Sequence, residues 1–200
     1  MDNWQELCTK SKDIFKQLKY QHPTIQILGS IPPFYPTYKE GPITTEFTNY
    51  YKSLIPLLEV DGYLLETQVS LIHIKEICRI IHSLVDVEPT IYISLYPNNI
   101  GTEELLQLCR EYPTIKAVLV NCCSYDKMSD YYDKVILKVL AAHPVLQFGF
   151  YLNRIDEEHY AECQHIERLQ EYKSKKNETG KIKNFVERYR DNNIIIGGCC

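Results

Sequence analysis

Short apolar runs alternate with segments of helical period from one end of this chain to the other, and that alternation most restricts its fold. Runs of this kind suit a parallel sheet, whose neighbouring strands need a long crossover between them, usually a helix. Six runs read as strands: Ile25 to Leu28, Gly62 to Leu65, Ile91 to Leu95, Ala117 to Val120, Leu146 to Tyr151 and Ile194 to Ile196. The segments between them carry their own evidence. After Thr67, residues Leu71, Ile74, Cys78, Ile81 and Val85 recur at steps of three and four and mark one apolar stripe, with Lys75, Glu76 and Arg79 off it. A helix from Thr102 to Arg110 opens on Glu103 and Glu104, where the positive end of a helix favours anions. Tyr131 to Ala142 reads as a further amphipathic helix. The amino-terminal segment reads as a helix capped by Asp2, with Trp4, Leu7, Phe15 and Leu18 as buried contacts. The pattern is that of repeated βα units in an α/β protein.

At 200 residues, 44% hydrophobic and 24% charged, the chain is expected to form one soluble domain spanning 1–200. A net charge of -4 argues against nucleic acid or an anionic membrane as partner, because both select for clustered Lys and Arg. The one basic cluster, Lys173 to Lys183, is broken by Asn177, Glu178 and Gly180 and reads as a solvated loop. Asp2, Glu6 and Asp13 stand where a signal peptide would need a basic start and an apolar stretch, and no apolar run reaches membrane-spanning length. The expected location is cytoplasmic, where thiols stay reduced. The eight cysteines then read as free thiols or metal ligands, not as a disulfide framework.

Two cysteine pairs stand out. Cys122-Cys123 follows the run ending at Val120-Asn121, and Cys199-Cys200 follows Ile194 to Ile196 through Gly197-Gly198. All four thiols are expected just past the carboxyl ends of buried strands. Three thiolates from two strand ends could hold one zinc ion. Cys8, Cys78 and Cys109 fall in helix patterns and read as small hydrophobes. His159 and Cys163 share a helix face near His165, but no matching ligands occur elsewhere, and a solvated helix is expected there. His73, His82 and His143 read as structural or surface residues. Pro32-Pro33 with Phe34 and Tyr35 reads as a rigid loop.

Taken in order, five motifs resemble those of the homocysteine S-methyltransferase family. Leu28-Gly29-Ser30-Ile31-Pro32-Pro33-Phe34 is similar to the Gly-Ser-Ile-Gly-Pro-Tyr after the family's third strand, and Leu64-Leu65-Glu66-Thr67 to the Glu-Thr ending its fourth. Val120-Asn121-Cys122 resembles Val-Asn-Cys of the sixth, Tyr151-Leu152-Asn153 the Tyr-Pro-Asn of the seventh, and Gly197-Gly198-Cys199-Cys200 the Gly-Gly-Cys-Cys of the eighth. The resemblance spans the chain and implies a partial TIM-type (β/α)8 barrel covering family strands three to eight, truncated at both ends. The family's first strand with its Asp-Gly-Gly, its second strand and everything after the double cysteine have no counterpart. Leu119 and Pro32 replace family glycines, and Arg154-Ile155 replaces small residues.

The resemblance also implies a zinc cofactor held by Cys122, Cys199 and Cys200, with an open position for the sulfur of homocysteine. It implies a substrate pocket drawn from Ser30, Glu66, Thr67, Asn121 and Asn153, with Glu66 on the amino group. The reaction would pass a methyl group from a small-molecule donor to homocysteine and give methionine. The alternative is an inactive remnant that keeps a zinc-thiolate site, or one completed by oligomerisation or a second chain, because six strands leave two parallel edges open.

Overall fold

The structure is a computed structural model and describes residues 3–36, 38–97, 100–152, 177–189 and 194–197. In chain order its elements are α1 (Asn3–Gln21), β1 (Leu28–Ile31), α2 (Thr45–Leu54), β2 (Gly62–Gln68), α3 (Leu71–Leu84), β3 (Ile91–Leu95) and α4 (Thr102–Glu111). There follow β4 (Ile115–Asn121), α5 (Tyr125–Tyr131), α6 (Leu137–Ala142), β5 (Gln147–Tyr151), α7 (Asn177–Arg188) and β6 (Ile195–Ile196). A π-helical stretch, Tyr132–Ile136, joins α5 to α6. Each strand is parallel to the next, and the sheet order β1-β2-β3-β4-β5-β6 is the order of the sequence. A doubly wound sheet reverses its order at a switch point; this sheet never does, which is how a barrel grows.

Alternation along the strands separates two faces. Tyr63, Leu65, Ile91, Ile93, Leu95, Val118, Val120, Phe148 and Phe150 belong to the main core, together with the helices. The opposite face carries a smaller cluster of Ala117, Leu119 and Tyr151, with Leu64, Tyr92 and Ile195 half-buried beside it. This second face is the inside of a curl. β2 and β5 have two strands between them, about 14 Å in a flat sheet. Yet the Tyr151 hydroxyl of β5 reaches the Glu66 carboxylate of β2 at 3.0 Å. Only a sheet that bends toward itself brings them together.

The structure moves several expected boundaries. The first strand lies at Leu28–Ile31, not at Ile25 to Leu28. Ladder pairing starts where Leu28 meets Gly62, and just before it the Ile27 N–H is held by the Asp61 carboxylate at 2.8 Å. Ser30 is therefore part of the strand and not of the loop behind it. α2 is an element the hydropathy pattern does not suggest; the Thr44 hydroxyl accepts from the Phe47 N–H at 3.2 Å and starts it, and Phe47 and Tyr51 bury its inner face. On α1, Phe15 is half-buried but Leu7 and Leu18 are exposed, so the expected buried stripe is only partly realised. Lys12 and Lys19 tie that helix to Glu59 and Asp61. The histidines behave as structural residues where they are buried: His73 donates from Nε2 to the Gly41 carbonyl at 2.6 Å and lies against Tyr35 and Phe47. With Tyr51 donating to the Pro32 carbonyl at 2.9 Å, this fixes the loop after β1.

The expected solvated loop at Lys173 to Lys183 is helical from Asn177 onward. Its charged composition hides a spacing that packs: Ile182, Phe185, Val186 and Tyr189 all join the core, and Phe185 contacts Tyr132, Phe148 and Phe150. α7 thereby brings the chain back to the sheet edge where β6 pairs with β5. That pairing is close. A Cβ at Gly149 would lie 2.8 Å from the backbone oxygen and the Cβ of Ile195, so only glycine admits the last strand. Among the described residues no helix is long and apolar enough to cross a membrane.

Two outcomes follow from these contacts. Phe185→Ala should cost about 3–5 kcal/mol, the usual range for emptying a buried aromatic site, as read from the midpoint of denaturant unfolding. Lys19 and the Ile27 N–H hold the Asp61 carboxyl below its ordinary range. Its contribution is therefore present above the unfolded value near ~3.9 and is lost as pH falls through the lower folded value. Asp61→Asn should flatten the acid limb of a stability-versus-pH curve below about pH 5 and leave the neutral region changed only by the lost ion pair.

Candidate functional site

The carboxyl ends of β1, β2, β4 and β5 place polar side chains on the inner face, where the apolar lining stops. Glu66 is the centre of the first group. Its Oε1 accepts from the Ser30 hydroxyl at 3.3 Å and its Oε2 from the Tyr151 hydroxyl at 3.0 Å. Tyr151 is buried, and that burial pushes its phenol well above the usual tyrosine range, so the hydroxyl keeps its proton and donates. Ser94 is fully buried on β3, and among the described residues its hydroxyl oxygen has no hydrogen-bond partner.

One residue further along, a second group forms around Asn121, which is fully buried. Its Nδ2 donates to Thr67 Oγ1 at 2.7 Å and lies 3.4 Å from Cys122 Sγ. Thr67 Oγ1 is itself 3.9 Å from that sulfur. The two outer members of this clasp have unusual backbone: φ is 47° at Thr67 and 52° at Cys122. A β-branched residue in the left-handed region costs about 1–3 kcal/mol and persists only where its surroundings over-determine it. Asn121, at the end of β4, supplies that constraint through its contacts to both residues. Among the described residues its own Oδ1 is buried without a hydrogen-bond partner.

The four cysteines with described side chains separate by environment. Cys78 and Cys109 sit in the helical layer, where burial pushes their thiols up to about 12 and about 11, and they stay protonated. Cys123 is buried in the main core. Cys122 alone of the four is half-buried at a strand end beside polar groups. A thiol there is the right kind of donor for a soft divalent ion such as zinc. Among the described residues no cluster of three or more His, Cys, Asp or Glu side chains could hold a metal. Cys199 and Cys200, the other two expected ligands, lie outside the described residues, as do Asn153 and the His159, Cys163 and His165 group. The Gly197 N–H donates to the Phe150 carbonyl at 3.0 Å, at the same end of the sheet as Cys122.

The structure thus joins Thr67, Asn121 and Cys122 in one group and Ser30 and Glu66 in another, to which it adds Tyr151. Its signal was available in strand phase, since residue 151 falls on the same face as 147 and 149. Gly197 makes room for it; a Cβ there would stand 3.3 Å from the Tyr151 Cβ. Glu66, Leu64, Tyr92, Tyr151 and Ile195 line an open cavity of ≈ 480 Å³. A larger cleft of ≈ 900 Å³ opens at the amino ends of the strands near Thr90, Lys116 and Pro144, but none of Ser30, Glu66, Thr67, Asn121, Cys122 or Tyr151 lines it.

A parallel sheet in sequence order, with its polar groups at the strand carboxyl ends, places the chain among the (β/α)-barrel proteins. The sequence model of the homocysteine S-methyltransferase family matches residues 1–200, and the chain belongs to that family. Among solved structures, it is similar to the homocysteine methyltransferase MmuM from Escherichia coli in its metallated form, with 14% identity and a TM-score of 0.51. That match covers 98% of this chain but only 66% of the E. coli chain, and at such identity it bears on the fold alone. A catalytic lysine mutant of Ruminococcus gnavus sialic acid aldolase follows at 17% identity and a TM-score of 0.47, covering 86% of this chain and 53% of its own, too weak to carry an argument. No curated protein sequence matches the chain.

Asn121→Ala should remove the donor shared by Thr67 and Cys122 and cost about 1–3 kcal/mol, the range for orphaning a buried hydrogen-bonding group. Equilibrium unfolding measures this, and the Cys122 thiol should at the same time become more reactive toward a thiol reagent.

Proposed function

We propose that this protein activates homocysteine on zinc and transfers a methyl group to its sulfur, giving methionine. One observation carries the reading: the carboxylate and the thiol that the two ends of homocysteine require are neighbours. Glu66 and Thr67 are adjacent in sequence, and Thr67 lies 3.9 Å from Cys122 Sγ. A carboxylate and a thiol, the groups proposed for the two ends of homocysteine, are therefore linked through one residue and one contact. Cys122, Cys199 and Cys200 would hold the zinc ion. Zinc held there would lower the pKa of a thiol that it binds and so favour a thiolate near neutral pH.

The remaining roles belong to the chain's own residues. Glu66 carries a negative charge toward the cavity and suits the substrate ammonium. Asn121 fixes the direction of the Cys122 thiol through its N–H, and Thr67 limits the space beside it. Asn153 would contribute an amide contact and Ser30 a hydroxyl. The half-buried apolar face of Leu64, Tyr92 and Ile195 excludes part of the solvent and leaves room for a methyl donor. In the transfer the sulfur forms a bond to the methyl carbon while the donor's bond to that carbon breaks, its electron pair leaving with the donor. Holding the two reactants in line supplies much of the rate. The reaction belongs in the cytoplasm, where free thiols persist, and residues 1–200 act as one domain.

A second reading is favoured by the sheet edges. Among the described residues β1 pairs only with β2 and β6 only with β5, so a second chain, or a second copy, could supply strands that complete the curl.

The test is zinc content together with methionine formation, using S-methylmethionine, betaine or methyltetrahydrofolate as donor. The purified chain should bind about one zinc per molecule through thiolates, and Cys122→Ser should abolish both binding and turnover. A protein that takes up no zinc and forms no methionine with any donor would overturn the reading. Sedimentation analysis separates a monomer from a completed assembly.

A further inference from the structure

The Glu66 carboxylate does not face the cavity as a free group. It is spanned by two hydroxyl donors that come from opposite sides of the curl, Ser30 on β1 at 3.3 Å and Tyr151 on β5 at 3.0 Å. Each oxygen of the carboxylate takes one of them. A carboxylate accepts at about four lone-pair positions, so two donors fix its plane and still leave capacity for a cation. Tyr151 is the stronger of the two anchors. Its ring is buried on the inner face, packed against Ala117 and Leu119, and hemmed in by the backbone at Gly197. A carboxylate tethered to such a ring cannot swing into solvent or turn toward a neighbouring lysine.

We propose that Tyr151 is the positioning residue for the amine-binding carboxylate, and that through Glu66 it makes the site selective for a thiol bearing an ammonium group over the same thiol without one. The inference rests on the reading of Glu66 given above and goes beyond it, since it assigns selectivity to a residue that need not touch the substrate. A fixed acid gains its full attraction for an ammonium because no side-chain freedom is lost on binding. A loose acid loses part of it. At the sulfur end it is Asn121 and Thr67 that lie against Cys122.

The experiment compares two thiols on the zinc-loaded full chain: homocysteine and 4-mercaptobutanoate, which is homocysteine without its amino group. Dissociation constants are measured by calorimetry for the wild type and for Tyr151→Phe, which keeps the ring and removes only the hydroxyl. Zinc content and thermal midpoint are recorded alongside. The wild type should prefer homocysteine. Tyr151→Phe should bind homocysteine about tenfold more weakly, the scale of one hydrogen bond to a charged group. Its affinity for 4-mercaptobutanoate and its zinc content should be unchanged, and where turnover is measured the loss should fall on KM and not on kcat.

Equal weakening toward both thiols, or no change toward either, would overturn the role of Tyr151 while leaving Glu66 as the ammonium site. A wild type that binds both thiols equally would overturn the reading of Glu66 as well. Should Tyr151→Phe fold poorly, Ser30→Ala in the same assay decides: a smaller loss confined to homocysteine supports a carboxylate positioned by its hydroxyl donors, and no loss overturns it.

Discussion

Packing of one sheet face against the helices is the constraint on which the rest of the structure depends. Tyr63, Leu65, Ile91, Ile93, Val118, Val120, Phe148 and Phe150 all point outward into a single core. Each large apolar side chain buried there contributes about 1.5–3 kcal/mol. Because side chains alternate along a strand, fixing this set fixes the other set too. A slip of one residue in any strand would turn its core residues inward and its polar residues into the helices. Glu66, Asn121 and Tyr151 are therefore placed by their neighbours: the outward packing of Leu65, Val120 and Phe150 sends these three to the concave side, at the end where each strand stops.

The curl then converts a row of strand ends into a site. Glu66 and Tyr151 belong to β2 and β5 and could not meet across a flat sheet, while Ser30 reaches Glu66 from the adjacent β1. Thr67, Asn121 and Cys122 come from β2 and the end of β4, which are also not adjacent in the sheet. The contact from Glu66 to Tyr151 passes over two strands and that from Thr67 to Asn121 over one. The left-handed backbone at Thr67 and Cys122 is confined to the same place, where two strand ends turn over the rim. Local strain and cross-sheet contact thus coincide, and Asn121 joins them.

Much of this was legible in the sequence because period and order survive without knowledge of tertiary structure. Apolar runs gave five of the strands nearly in place, and the Leu71 to Val85 stripe marked α3. What the pattern missed has physical causes. β1 lies three residues beyond its apolar run because ladder pairing begins at Gly62, a partner distant in sequence. α2 escaped notice because Thr44 starts it by a local cap while its inner face is built from Phe47 and Tyr51, not from an aliphatic stripe. α7 was obscured by its lysines, although Ile182, Phe185, Val186 and Tyr189 recur at helical steps. Of the site, Ser30, Glu66, Thr67, Asn121 and Cys122 could be named from their motifs. The tie between Glu66 and Tyr151 could not, since it depends on how sharply the sheet bends.

Gly149 shows what such close pairing means for the order of assembly. Its missing side chain leaves the narrow slot in which Ile195 lies, so β6 has a place only after β5 has formed with its glycine facing inward. β6 is also short, two residues, and is delivered by α7, whose hold on the sheet is the ring of Phe185. The last strand is thus a latch that engages an already finished surface.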